Sequence, residues 1–155
     1  MNLKKYSVFV GIILFLVISY GFFSGQNIFL RKTEIGDIKF VKIAGQIIKV
    51  DLALTQETQE KGLSGRENLK DNEGMLFIFS KPAKNYFWMK DMNFPIDMIW
   101  FDENFKIIYI KKDAQLSSYP NSFGPGVDNQ YVLEVMAGFS EKNNLKVGDT
   151  VEFVR

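Results

Sequence analysis

The chain has 155 residues, 46% hydrophobic and 24% charged, with a formal net charge of +1; that is room for one globular domain of ordinary folded composition. It contains neither cysteine nor histidine. This excludes disulfides, thiolate metal sites, a cysteine nucleophile and every catalytic triad built on an imidazole.

Residues 6–23 are an uncharged apolar run preceded by Lys4 and Lys5. As a helix this run rises about 27 Å, close to the hydrocarbon thickness of a bilayer. The two lysines place it as a membrane anchor with its C-terminal side, and so the rest of the chain, outside the cytoplasmic membrane, in a periplasmic or extracellular location. A cleaved signal peptide is the competing reading, with Ser19 and Gly21 as the small residues of a processing site; either way the folded part is exported. Residues 1–25 are thus read as anchor or signal, 26–36 as spacer and 37–155 as the domain. All 18 acidic side chains and all but Lys4 and Lys5 of the 19 basic ones lie in residues 26–155, whose net charge is −1. That balance argues against a nucleic-acid partner.

The domain opens with strands over 37–43 and 46–54, joined by a tight turn at Ala44-Gly45; Ile48, Val50, Leu52 and Leu54 alternate with polar residues and give one buried face. Thr55 is placed to cap a short helix that ends near Gly62. Strands are predicted over 74–79, 86–90 and 96–101, the last forming a hairpin with 106–112 through Asp102-Glu103-Asn104. A Pro/Gly/Ser/Asn-rich loop, 113–129, is longer than a connection needs, as binding loops often are. A strand over 131–135, a short helix over 137–145 and a strand over 150–154 complete the chain. The fold class is therefore mostly β (α+β): a compact, barrel-like domain of seven to eight short strands with two short helices. No long crossover helix of a doubly wound fold is visible.

With imidazole and thiol absent, any catalysis must rest on carboxylates, Lys, Tyr, Ser or Arg. Asp97 and Glu134 stand out because each sits inside a very apolar strand, Asp97 sharing a face with Ile99 and Phe101, Glu134 with Val132 and Met136. Buried carboxylates need a partner, a pocket or a shifted pKa. One reading makes the two an acid and base pair, as in glycoside cleavage; the other has each accepting backbone N–H bonds where the sheet is irregular. Arg66, the only arginine between Arg31 and Arg155, is the expected partner, either in a structural ion pair or as the base of an anion-binding pocket. Trp88, with Trp100, Tyr86 and Phe87, is read as a sugar-stacking platform or as core. Lys90 is a rim charge or a ligand contact. Met75, Met89, Met92, Met98 and Met136 fit core packing better than Cu(I) ligation. No metal-ligating set and no cofactor motif is present. Gly62-Leu63-Ser64-Gly65-Arg66 is not a nucleophile elbow, its second glycine falling one residue early, and Asp71-Asn72-Glu73-Gly74 lacks the spacing of a calcium loop.

Taken together, GLSGR at 62–66, EGMLFIF at 73–79, FWMKDMNFPIDMIWFD at 87–102 and YVLEVMAGF at 131–139 resemble the pattern of the DUF192 family, a domain of unknown function, over about residues 46–153. The resemblance implies a compact β-barrel-like domain, often exported or anchored, and no established reaction, ligand or cofactor. Its characteristic polar positions fall here on Arg66, Glu73, Lys90, Asp97 and Glu134. Family members also accept methionine where this chain has Ser64, and many carry Asn-Thr in place of Asp91-Met92. The expectation is an extracytoplasmic binding or accessory domain of the cell envelope that recognises a glycan or an anionic small molecule through Arg66, Glu73, Trp88 and Lys90. The alternative is a polysaccharide hydrolase or lyase using Asp97 and Glu134.

Overall fold

Two positive φ angles in succession, 48° at Ala44 and 75° at Gly45, close the first hairpin, as a two-residue turn between right-twisted strands requires. It joins β1 (Phe40–Ile43) to β2 (Gln46–Ala53). This geometry comes from a computed structural model that describes residues 35–155, of which Ile38–Arg155 form one packed unit. The apolar run at 6–23 and most of the spacer lie outside the described residues. Among the described residues no helix is long and apolar enough to cross a membrane.

After β2 the chain forms α1 (Gln56–Lys61), whose N-cap is Thr55 as expected, with a reciprocal capping box to Thr58. It continues through β3 (Glu73–Ala83), β4 (Phe87–Trp88), β5 (Ile96–Phe101), β6 (Ile107–Ala114), a single 3-10 turn (Leu116–Ser118), β7 (Ser122–Phe123), β8 (Asn129–Met136), α2 (Phe139–Lys142) and β9 (Val151–Val154). Seven strands make one sheet in the order β6-β5-β8-β3-β2-β1-β9, and β4 and β7 form a separate two-stranded piece. Every pairing is antiparallel except β2 with β3, which α1 and the following loop connect as a parallel crossover.

The sheet curls into a half-barrel. An isolated bridge between Lys106 and Thr150 draws its two margins together at one end. Phe153 of β9 packs its ring 6.3 Å from Phe101 of β5 and 5.2 Å from Tyr131 of β8, although β9 stands at the opposite margin from β5. The face bearing these rings is therefore the concave one. Register and strand alternation add Leu76, Leu133, Val135 and Ile99 to it, all fully buried.

The opposite face of the sheet is covered as well. Met75, Phe77, Met98, Trp100 and Val132 pack there against Leu63, Leu69, Met89, Met92 and Phe94 of the connecting segments. That double cover explains why β5 buries all six of its residues. The methionines at 75, 89, 92 and 98 are members of this outer core, with Met136 against its edge. Gly74 opens β3 where a Cβ would lie 2.6 Å from the Glu134 carbonyl oxygen; only glycine permits the close approach of β3 to β8 there.

Candidate functional site

On the outer face, α1 and the segment around β4 stand apart and leave a cleft of about 350 Å³. Its walls are held by neutral amides. Gln59 of α1 donates Nε2 to the carbonyl oxygens of Ala53 and Ile78, pinning the helix to the sheet. Asn85 donates to Ala83 and to the Asn129 backbone and side chain, and its own carbonyl accepts from Trp100 Nε1. Phe87 is thereby set edge-on to Phe77 and Trp100, at 4.7 and 5.7 Å. Phe87 and Trp88 both line the cleft, and Trp88 is 52% exposed with the Tyr119 ring at 6.1 Å. Tyr86, 54% exposed, completes the aromatic rim.

The GLSGR loop closes the other side. Ser64 Oγ donates to the Lys90 carbonyl, Gly65 N–H to the Asp91 carbonyl, and Asn93 Nδ2 to the Arg66 carbonyl. Ser64 is thus committed to a loop-to-loop bond, and two of the resembling sequence blocks are knitted together through backbone oxygens.

Glu134 lines the cleft at its base and is 4% exposed. Its Oε2 meets no hydrogen-bond partner. Burial pushes the carboxyl up to about 8, against the pull of the nearby Arg66 guanidinium. Directly above it Gly62 adopts φ 50° and ψ −135°. A Cβ there would stand 3.3 Å from the Phe77 ring and 3.7 Å from Glu134 Oε2.

The two acids singled out in the sequence do not share a cleft. Across β5 and β8, Met98 faces Glu134 while Asp97 faces Val135, so the carboxyl groups project from opposite faces of the sheet. Asp97 is fully buried and accepts N–H bonds from Asp113 at 2.8 Å, Ser140 at 2.7 Å and Gly138 at 3.3 Å. It fastens the end of β6 and the start of α2 to β5. The expected acid and base pair is therefore corrected: the register assigns Asp97 to the fold and leaves Glu134 alone in the cleft.

Arg66 differs from expectation too. Its Nη2 pairs with Asp51 Oδ2 at 2.7 Å, beside a second, neighbouring hollow that shares Lys61, Gly62 and Ser64 with the first. It acts on Glu134 through space alone. Glu73 sits at the start of β3 in an ion pair with Lys70, whose side-chain hydrogen bond holds the Glu73 carboxyl below the usual range; it lines neither hollow. Lys90 contributes its carbonyl to the loop junction, and its side chain is absent from the cleft lining. Of the expected ligand contacts, then, Trp88 alone lies in the cleft with Glu134. Among the described residues no group of three or more acids gathers to hold a metal. Sequence reasoning missed Gln59 and Asn85, and the only signal for Asn85 was its place ahead of the Tyr-Phe-Trp run.

These features define a class: a curled β half-barrel whose outer face carries a cleft roofed by a crossover segment and a two-stranded flap. Within it, the chain belongs to the DUF192 family, described as "Uncharacterized ACR", whose model matches residues 39–153. A protein of unknown function from Novosphingobium aromaticivorans has a similar crystal structure: TM-score 0.68, 30% identity, covering 74% of this chain and 84% of that one. A Sinorhizobium meliloti protein described as a "putative transcription regulator" is similar at TM-score 0.68 and 27% identity, over 74% of this chain and 90% of that one. No curated protein matches the chain.

Proposed function

We propose that this is a binding domain of the cell envelope, held outside the cytoplasmic membrane by residues 6–23, and that its cleft takes a small ring-bearing ligand such as a saccharide. The observation that carries the reading is the aromatic rim. Trp88 and Tyr86 are each about half exposed in the lining of a ligand-sized hollow, and Tyr119 stands against the Trp88 ring outside that lining. Flat aromatic faces suit sugar rings, and convergent polar groups in a concave site fix orientation. The regulator description attached to the Sinorhizobium relative is not extended to this chain, because residues 26–155 carry a net charge of −1 and nucleic-acid binding draws on a basic excess.

Titrating the full chain with soluble oligomers of N-acetylglucosamine and of galacturonate by isothermal calorimetry, a readout that does not depend on Trp88 as reporter, tests the binding site. Trp88→Ala should weaken the response at least tenfold while the melting temperature stays within about 2 °C, as an exposed substitution allows. Equal binding by that variant refutes the platform. Location is tested separately. Because the chain has no cysteine, a Lys81→Cys variant should react with a membrane-impermeant maleimide in intact cells, and labelling only after lysis refutes export.

A further inference from the structure

We propose that Glu134 is the hydrogen-bond donor of the cleft: a neutral carboxyl group that presents its proton to an acceptor oxygen of the bound ligand. This rests on the cleft reading above and adds the chemistry of the group recognised.

Three observations converge on it. Glu134 Oε2 is buried and has no partner in the protein, a costly state that a native fold rarely keeps without a use. It belongs to the lining of the cleft and not to a sealed core. The missing side chain at Gly62 keeps the cover over it to bare backbone, since a Cβ there would stand 3.7 Å from Oε2. An ionised carboxylate only accepts hydrogen bonds, whereas its protonated form donates one. The ligand group that meets this atom is therefore an oxygen acceptor, a hydroxyl or ring oxygen of a neutral sugar or a carboxylate of an acidic one.

The charges around Glu134 agree with a neutral form. From α1 and its following loop the cleft receives Glu60 and Lys61, and from the segment after β3 it receives Lys84. Arg66 is the charge felt most, and Asp51 of β2 occupies its guanidinium. Asp97 faces the other side of the sheet. No cation makes a direct bond to Oε2, so burial decides, and the carboxyl holds its proton up to about 8. A bound oxyanion would meet a donor and the two rim lysines; a neutral sugar would meet the donor alone.

The test uses the full chain labelled with carboxyl-13C glutamate, with the Glu134 signal assigned by its loss in Glu134→Gln. Its titration midpoint should lie near 8, and a midpoint in the ordinary glutamate range overturns the proposal. N-acetylglucosamine and galacturonate oligomers serve as probes. Whichever binds wild type at pH 7 should bind Glu134→Gln within about threefold, because the amide also donates, and Glu134→Leu at least tenfold more weakly. Wild-type affinity should then fall about tenfold per pH unit above pH 8 while Glu134→Gln stays level. A stronger response to galacturonate marks an oxyanion as the acceptor, and an equal response marks the sugar hydroxyls. Undiminished binding by a folded Glu134→Leu overturns the donor and leaves the aromatic platform standing. Absence of any saccharide response in wild type refutes the platform, and this inference with it.

Discussion

A buried acid that stays neutral makes stability fall with pH in a way that a single substitution should abolish. The folded-state pKa of Glu134 lies near 8, against 4.5 as the unperturbed value. Between these values the folded protein holds a proton that the unfolded chain has released. Unfolding therefore frees a proton, and wild type loses about 1.4 kcal/mol of stability per pH unit as pH rises through that window. From 4.5 to about 8 the loss accumulates to about 5 kcal/mol, with about 3 kcal/mol already gone at pH 7. Glu134→Gln keeps the shape and a donor but does not titrate. It should match wild type at pH 4 and exceed it by several kcal/mol at pH 9, an appreciable part of the 5–15 kcal/mol typical of whole domains. Urea unfolding of both proteins at half-unit pH steps, extrapolated linearly, gives the difference curve. Titrations shared by both proteins, such as that of Glu73, cancel in the subtraction. A difference that stays flat from pH 4 to 9, or that grows toward low pH, would show that the carboxyl is charged in the folded state and would refute the reasoning.

Two further outcomes probe the frame around the cleft. Asp97→Ala should cost about 2–4 kcal/mol, because it strands the buried Ser140 N–H and removes the part-buried bonds from Asp113 and Gly138; loss of under 1 kcal/mol by chemical denaturation argues against the clamp. Gly74→Ala should leave little folded protein by circular dichroism, since its Cβ would lie 2.6 Å from a backbone oxygen that cannot swing away. A cooperative melt near the wild-type temperature argues against that contact.

Much of the half-barrel is legible from the residues. Strand β5 falls where its doubly apolar run puts it, and Thr55 caps α1 as its side chain suggests. The parallel pairing of β2 with β3 is not legible: α1 buries none of its residues, so no amphipathic stripe announces a crossover. In the sequence the β4 and β7 pair reads as one longer strand and a loop, since two-residue strands have no periodicity to detect. The site escapes a sequence reading for a related reason. Alternation places Asp97 and Glu134 correctly along their own strands, but which side chains meet is fixed by the register between β5 and β8. One residue of slip would have put both acids on a single face.

The bridge between Lys106 and Thr150 fastens only one end of the sheet, so most of β6 remains an open margin with unpaired backbone groups. Lys111 and Lys112 sit along that margin. Lys111 lays its ammonium over the Phe123 ring at 4.8 Å, and Lys112 is exposed, so a second molecule that tried to extend the sheet would have to strip water from the Lys112 charge, a penalty natural edge strands use to discourage stacking. The same margin that lets the half-barrel stay open thus carries a charge that opposes edge-to-edge pairing.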